Sequence, residues 1–193
     1  MEAGNMRKLF ITLCVPILVY LIWPYMALLK LYFGLESANK KVVMEEIHWP
    51  TIRKGIEKNL NLFVKEVLNK NLKQKNLQIS FSAISLTRQI ADEIATPEGI
   101  IYLYHNPNKY ADQIRKIFKK VSEPKQLSPP IKEKPLKPEG PNVPSLWERI
   151  DYIFFIDFSH FKASFKIKNQ SFTIIWKRQG FDWKVVLLNF PLA

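Results

Sequence analysis

Cysteine and glycine are scarce in this chain of 193 residues, which has one cysteine, Cys14, and six glycines. A single cysteine excludes a disulfide within the chain and a metal site built from several thiolates. The glycines are dispersed, so no glycine-rich loop of the phosphate-cradling kind is present. No Gly-x-Ser-x-Gly segment occurs either. These absences remove the usual sequence signatures of nucleotide-binding proteins and of many serine hydrolases.

Candidate catalytic and metal-binding groups are also few. The three histidines are far apart in the sequence and belong to no ligand motif: His48, His105 and His160. Asp157 lies three residues before His160, so the two could pair across a turn, but turn residues of this kind are usually solvated and we do not expect this pair to bind a metal. We therefore predict no catalytic, cofactor-binding or metal-binding residues, and we do not expect an enzyme.

Arginine is rare among the basic residues. The net charge is +12, yet only six of the 29 basic residues are arginine and the rest are lysine. Recognition of phosphates and bases favours the bidentate arginine fork. We interpret the charge as a solvated lysine-rich surface and do not expect nucleic acid as a partner. Contact with anionic lipid headgroups or another polyanion stays open as an alternative.

One long apolar run stands near the N-terminus. Residues 1–8 form a short basic segment ending in Arg7 and Lys8, and residues 9–29 carry no charge. At 1.5 Å per residue, 21 helical residues span a bilayer core of about 30 Å. Trp23, Pro24 and Tyr25 are expected at the membrane–water interface, where tryptophan and tyrosine are enriched. The run predicts a transmembrane helix and makes the lipid bilayer the first expected partner.

This segment has two interpretations, a cleaved signal peptide or an uncleaved signal anchor. No convincing small-x-small cleavage site follows the apolar run, which favours the anchor. Lysines beyond the run nearly balance the basic residues before it, and long domains translocate largely regardless of charge. We expect an inner (plasma) membrane protein whose domain faces outward, into the periplasm of a Gram-negative cell.

Residues 30–121 show helical periodicity. Asn39 is suited to cap a short helix over residues 40–46, and Pro50 suits the first turn of the next. That helix has one apolar line: Ile52, Ile56, Leu60, Phe63 and Val67. A third helix is predicted over residues 81–95, with Leu86, Ile90 and Ile94 on one face. Thr96 is expected to cap a short fourth helix, and a last one to end near Val121.

Residues 122–145 contain seven prolines interspersed with lysines. Proline lacks a donor and disrupts both helix interiors and central strands. We expect an extended linker there, with neither helix nor strand. Residues 146–193 then alternate apolar and polar side chains with a period of two. Four strands joined by short turns are predicted, with the turns at residues 157–159, 168–170 and 178–180.

The predicted fold class is α+β. A transmembrane helix precedes several helices, and these pack on one face of a four-stranded antiparallel meander at the C-terminus. Trp183 is expected in the core, with Lys184 pointing away from it.

A short motif, His48-Trp49-Pro50-x-x-Arg53, is the best candidate for a partner or ligand contact. The alternative is structural. Trp49 would pack onto the helix that begins beside it, and Arg53 would pair with an acidic neighbour, namely Glu45, Glu46 or Glu57.

Four ordered motifs carry a family resemblance: Trp23-Pro24-Tyr25 with Ala27, Ile47-His48-Trp49-Pro50 with Arg53, Thr96-Pro97-Glu98-Gly99, and Trp183-Lys184 leading to Pro191. Together they resemble a bacterial family designated domain of unknown function 2939. The resemblance implies a short, membrane-anchored bacterial protein and supplies no activity. The family pattern usually has aspartate where His48 stands. By analogy, the order of elements is also similar to cystatin-like folds of the nuclear-transport-factor type.

The sequence therefore favours a membrane-anchored binding or accessory domain of the cell envelope, with an unidentified protein as its partner. Two other functions stay open. A pocket between helices and sheet would bind or transform a small molecule, or the lysine-rich surface would contact polyanions or anionic lipid.

Overall fold

The computed structural model describes residues 3–71, 77–106, 109, 112, 140, 142–167 and 170–189. Within them it confirms an α+β chain with helices first and an antiparallel sheet last. The elements are α1 (Ala3–Glu36), α2 (Lys40–Glu46), α3 (Trp49–Asn71), α4 (Leu77–Ile94), α5 (Pro97–His105), α6 (Val143–Arg149), β1 (Ile150–Asp157), β2 (His160–Ile167), β3 (Gln170–Gln179) and β4 (Asp182–Asn189). The predicted helix ending near Val121 and most of the predicted linker lie outside the described residues.

Helix α1 is continuous through both of its prolines, Pro16 and Pro24. From Thr12 to Glu36 it is long and apolar enough to cross a membrane, and among the described residues it is the one helix that passes this test. Residues on one face of its second half are buried in the core of the domain. Gly34 lies so close to Val42 of α2 that a Cβ there would meet the valine side chain at 2.8 Å. The last turn of α1 therefore packs tightly against α2.

Helices α2 and α3 begin as the sequence predicts. The Asn39 side chain accepts a hydrogen bond from the backbone N–H of Val42, and Pro50 lies in the first turn of α3. The buried line of α3 runs through Ile52, Ile56, Leu60 and Val64. Phe63, which we placed on this line, is only partly buried. Steps of four keep the line on one side of the helix, and α3 contacts α4 and β4.

The α4–α5 junction also follows its sequence signals. Helix α4 begins four residues before its predicted start, and Leu86, Ile90 and Ile94 are buried as expected. The Thr96 hydroxyl accepts a hydrogen bond from the backbone N–H of Gly99 at 3.0 Å and so caps α5. A Cβ at Gly99 would collide with the backbone of α4. Only glycine allows the two helices to meet so closely there.

Helix α6 corrects the predicted end of the linker. The sequence favoured no helix through residue 145, yet α6 begins at Val143. Asn142 caps it by accepting from the backbone N–H of Ser145 at 3.3 Å. Pro144 lies in the first helical turn, where a missing N–H costs no hydrogen bond. Proline at that position starts this helix instead of preventing it.

The sheet is a meander in the order β1-β2-β3-β4, with every neighbouring pair antiparallel. The predicted alternation is confirmed on β2, where Phe161, Ala163 and Phe165 are buried. The last turn differs from the prediction: β3 continues to Gln179, and the turn consists of Gly180 and Phe181. Gly180 has a φ of +64°, a conformation that glycine adopts at little cost.

The core lies between the inner face of the sheet and the helices. It combines the second half of α1, the buried faces of α3, α4 and α5, and the inward residues of β2, β3 and β4. Trp183 is buried there, as predicted. Beside the outer strand β4, Ile47 forms a short parallel bridge with Val185. The segment between α2 and α3 therefore lies along that edge of the sheet.

Candidate functional site

His48 and Trp49 join three elements at the start of α3. The backbone N–H of His48 donates to the carbonyl of Val185 at 2.9 Å, which fixes this segment to β4. The His48 ring nitrogen Nδ1 lies 2.7 Å from the Thr51 hydroxyl. The Trp49 indole N–H donates to the carbonyl of Met44 at 3.0 Å and so holds the end of α2. These bonds describe a structural junction, while contact of His48 and Trp49 with a partner stays a prediction.

Arg53 has a different partner from those the sequence suggested. Its guanidinium forms an ion pair with Asp92 of α4, and not with Glu45, Glu46 or Glu57. The prediction considered only acidic residues near in sequence. Packing of α3 against α4 brings Asp92 to the first turn of α3, and sequence spacing does not show this. Glu57 instead lies 3.6 Å from Arg88 of α4.

Glu45 and Glu46 belong to a charged cluster beside α1. The Lys30 ammonium lies 2.5 Å from the carboxylate of Glu46 and 3.8 Å from that of Glu45. The Glu46 side chain is buried. The Lys184 ammonium donates to the backbone carbonyl of Glu45 at 2.7 Å, so it points away from the core, as expected. This cluster joins the start of β4 to α1 and α2.

Residues Trp23, Pro24 and Tyr25, predicted at the membrane–water interface, mark a change of environment along α1. Trp23 is 44% exposed, whereas Pro24 is among the most deeply buried side chains. The Tyr25 ring packs edge-on against Phe161, with the ring centres 4.9 Å apart. From this point the inward face of α1 is buried by the domain: Ala27, Leu28, Leu31, Tyr32 and Leu35. The last residues of the predicted anchor, 9–29, are therefore also core residues.

Tyr20 is a contact residue that the sequence pattern did not identify. Its ring stacks on Phe155 at 5.9 Å and lies 6.3 Å from Trp183, and the Arg178 guanidinium lies 5.2 Å from its centre. Its hydroxyl donates to the backbone carbonyl of Phe158. A tyrosine inside an apolar run was the available signal. The domain thus contacts α1 three residues before Trp23, at the aromatic cluster of Tyr20, Tyr25, Phe155, Phe161 and Trp183.

A cavity of about 70 Å³ lies between α1, α5, α6 and the sheet. Its walls are mainly aliphatic and aromatic: Leu28, Leu31, Leu35, Ile100, Leu146, Phe165, Phe172, Ile174 and Leu188. Four residues with polar side-chain groups also line it, namely Tyr32, Tyr104, Arg149 and Thr173. The Tyr104 hydroxyl donates to Glu36 Oε1 at 2.7 Å. Burial, together with this carboxylate, raises the pKa of Tyr104 well above its usual value, so the phenol stays neutral.

The Asp157–His160 pair, which the sequence left open, forms with the carboxylate 2.8 Å from His160 Nδ1. The backbone N–H of Ser159 also donates to Asp157 at 2.7 Å, and this bond is the main reason that the pKa of Asp157 falls to about 2. Both bonds stabilise the turn between β1 and β2. In the part of the chain that the structure describes, no group of three or more His, Cys, Asp or Glu side chains could hold a metal ion.

Comparisons with known proteins return nothing. No family model matches the sequence, no curated protein matches it, and no solved structure matches the fold. A function for this chain therefore has to be argued from its fold and from the geometry of the described residues.

Proposed function

We propose that the protein is a single-pass, membrane-anchored binding or accessory domain of the bacterial cell envelope. One observation carries the proposal: a single unbroken helix, α1, exposes apolar side chains along its first half and contributes core residues along its second. Eight large apolar residues from Leu13 to Trp23 are exposed on it, namely Leu13, Val15, Ile17, Leu18, Val19, Leu21, Ile22 and Trp23. So continuous an apolar surface matches the hydrocarbon of a bilayer.

The anchor is retained under this proposal, because cleavage within α1 would damage the domain. Any cut after Pro24 would separate core residues such as Leu28 and Leu31 from the rest of the fold. A helix that continues from the bilayer into the core also has no flexible hinge between anchor and domain. The domain would therefore display its surface at a fixed height above the membrane, which suits an accessory role in an assembly.

The family and the location belong to the same proposal. The ordered motifs of residues 23–25, 47–53, 96–99 and 183–191 favour the family of domain of unknown function 2939. Helices packed against one face of a four-stranded meander favour a cystatin-like architecture. An outward-facing domain is favoured because a long domain after the helix translocates largely regardless of the charges beside the helix. The binding role rests on the lack of a catalytic constellation in the described residues, with an unidentified protein as the proposed partner.

Labelling of intact cells tests the anchor and its orientation together. Ser171→Cys, on the exposed end of β3, is introduced in a Cys14→Ser background. A thiol reagent that cannot cross the inner membrane should label this cysteine in intact cells, and the protein should resist extraction of membranes with alkaline carbonate. Labelling only after lysis would reject the outward orientation. Release of the chain by carbonate would reject the anchor.

The cavity supports a second function, the binding of a small molecule. Its apolar walls and its volume of about 70 Å³ suit a short aliphatic group, and Arg149 offers a cation that suits a carboxylate on that group. The neutral Tyr104 phenol is suited to hydrogen bonding rather than to proton abstraction. A polar catalytic constellation does not converge on this cavity among the described residues, so we propose binding without chemistry.

Methyl resonances test the cavity with short-chain carboxylates as probes. Titration should shift the signals of Ile100 and Ile174, which line the cavity. Ile174→Phe should fill the space and abolish the shift of Ile100. Ile175→Phe is the matched control, since adjacent strand residues face opposite sides of the sheet. Equal shifts in both variants, or none in the native chain, would contradict the cavity as a ligand site.

A further inference from the structure

Two hairpin tips on the sheet each expose a phenylalanine. The β1–β2 turn carries Phe158, which is 88% exposed, and the β3–β4 turn carries Phe181, which is 85% exposed. Among the residues whose exposure the structure describes, no other large apolar side chain is as exposed. Because β1–β2 and β3–β4 are alternate hairpins of one meander, both tips lie at the same end of the sheet. A single exposed phenylalanine is ordinary, but two at neighbouring tips form a common surface.

That end of the sheet adjoins α1. The Tyr20 hydroxyl bonds to the backbone carbonyl of Phe158 itself, which places the first tip beside the helix. The guanidinium of Arg178 lies over the Tyr20 ring, and Arg178 precedes the second tip by two residues. Asp182, directly after Phe181, shares a groove with Val19 and Ile22 of α1. Both tips therefore lie level with residues 19–22, within the apolar run.

The part of α1 that is apolar and not covered by the domain is shorter than a bilayer core. The exposed apolar stretch ends at Trp23, and the uncharged run begins directly after Lys8. Residues 9–23 are 15 residues. At 1.5 Å per residue they extend about 22 Å, which is about 8 Å less than a bilayer core of about 30 Å. The missing length corresponds to about five further residues, and Pro24, Ala27 and Leu28 in that interval are already covered by the domain. The end of the domain must then share the membrane interface with α1.

We propose that Phe158 and Phe181 insert into the same bilayer leaflet that α1 enters, so that the domain is attached at three points. This rests on the proposed function, because it takes α1 as a transmembrane anchor. Continuity with the exposed face of α1 identifies lipid as the occupant. Phenylalanine is suited to the acyl boundary of the interface. The polar residues of the tips suit the headgroup level: Arg178 is cationic, and Asp157 already accepts hydrogen bonds from Ser159 and His160.

Attachment at three points has a mechanical consequence. A single helix leaves a domain free to rotate about the helix axis and to tilt. Two side contacts on one end of the sheet would remove that freedom and hold one face of the domain toward the membrane. The orientation of the domain would then be set by the fold, whichever side of the membrane it occupies.

Spin labels on the full chain test the proposal. In the Cys14→Ser background, single cysteines replace Phe158, Phe181, Leu18 or Ser171. The four variants are labelled with a nitroxide and reconstituted into vesicles of phosphatidylcholine and phosphatidylglycerol. Both tips are highly exposed and Tyr20 contacts only a backbone atom of Phe158, so folding should be unaffected, which circular dichroism checks. Ser171 lies at the opposite end of the sheet and is the aqueous control, whereas Leu18 reports on the anchor.

Collision rates with oxygen and with a water-soluble nickel chelate give the depth of each label. We expect a ratio of oxygen to nickel collisions several-fold higher at Phe158→Cys and Phe181→Cys than at Ser171→Cys. Tips as accessible to nickel as Ser171, with Leu18→Cys in lipid, would overturn the insertion and leave the anchor intact. A label in lipid at only one tip would also overturn attachment at three points. An aqueous Leu18→Cys would overturn the anchor itself.

Discussion

The two halves of α1 are similarly apolar but have opposite surroundings. Leu18 in the first half is 55% exposed, whereas Leu31 in the second half is 2% exposed. Both halves are helical and both are removed from water under our proposal, one by lipid and the other by protein. Hydropathy reports only that a segment avoids water. The medium that replaces the water is determined by whether other elements pack on the helix.

Within the described residues, the close contacts of α1 with other helices and loops lie along its second half, apart from those of Tyr20. Gly34 lets α2 approach, Pro24 is fully buried, and the Tyr32 hydroxyl bonds to both the backbone N–H and the carbonyl of Asn142. The Tyr32 bonds tie α1 to an element more than a hundred residues away. The first half shows contacts at Tyr20 and then a smooth apolar surface, which is the form a lipid-facing helix requires.

Substitution of one leucine in each half should give the largest difference. Leu31→Ala should lower the free energy of unfolding by about 2–5 kcal/mol, because it removes a buried side chain and leaves a cavity. Leu18→Ala should leave the stability of the domain unchanged, since that side chain is exposed and lies outside the core. Denaturant unfolding in a mild detergent, followed by tryptophan fluorescence, measures both. Equal losses in the two variants would contradict the division of α1 into two environments.

Loss of the hydrogen bond between Tyr104 and Glu36, the last residue of α1, should lower the stability by a smaller amount. Tyr104→Phe removes the hydrogen bond to Glu36 and should cost about 1–2 kcal/mol. The raised pKa also gives the pH dependence. The neutral phenol is favoured in the folded state, so this stabilisation is fully present below the unfolded pKa of about 10 and decreases as pH rises above it.

The loss of stability at alkaline pH gives a second test of the role of Tyr104. Tyr104→Phe should reduce the fall in stability above about pH 10, because the titrating group is gone. Tyr152→Phe is the matched variant, since Tyr152 is exposed on β1. Thermal unfolding between neutral and alkaline pH compares the two. A similar alkaline response in both variants would show that Tyr104 does not hold its proton as the structure implies.

The smallest effect is expected at the point where the exposed half first contacts the domain. Tyr20→Phe removes the hydrogen bond to the carbonyl of Phe158 but keeps the ring on Phe155 and beneath Arg178. The hydrogen bond is exposed, so the loss should be at most about 1 kcal/mol. Unfolding in detergent measures it, and Tyr20→Ala, which also removes the ring contacts, should cost more. If Tyr20→Phe and Tyr20→Ala lowered the free energy of unfolding equally, the stabilisation would come from the hydroxyl alone and not from the ring contacts.

Local signals were sufficient for much of the secondary structure. Asn39, Thr96 and Pro50 mark helix starts by hydrogen bonds or backbone angles within a few residues, and the structure confirms them. Alternation identified the strands because burial on one face has a period of two. Pro144 was misinterpreted, since the same residue that interrupts a helix interior is accepted in a first turn. For that reason the predicted end of the linker, at residue 145, was wrong.

The candidate site depended on contacts between residues far apart in the sequence. The partner of Arg53 is 39 positions away on α4, and Tyr20 reaches a turn 138 positions away. Side-chain pairing of this kind has no period and no spacing that can be read along the chain. The position of Phe158 and Phe181 beside α1 is of the same type, because a meander brings alternate turns to one end only once the sheet exists.

The sequence by itself determined the apolar run, the helix caps, the order of helices and strands, and the absence of familiar catalytic motifs. Each depends on side chains a few residues apart, whose backbone hydrogen bonds and periodicity act locally. Tertiary structure decided which part of α1 is buried by the domain, which carboxylate pairs with Arg53, and which end of the sheet contacts α1. These depend on packing across the chain, where burial of apolar surface outweighs local preference.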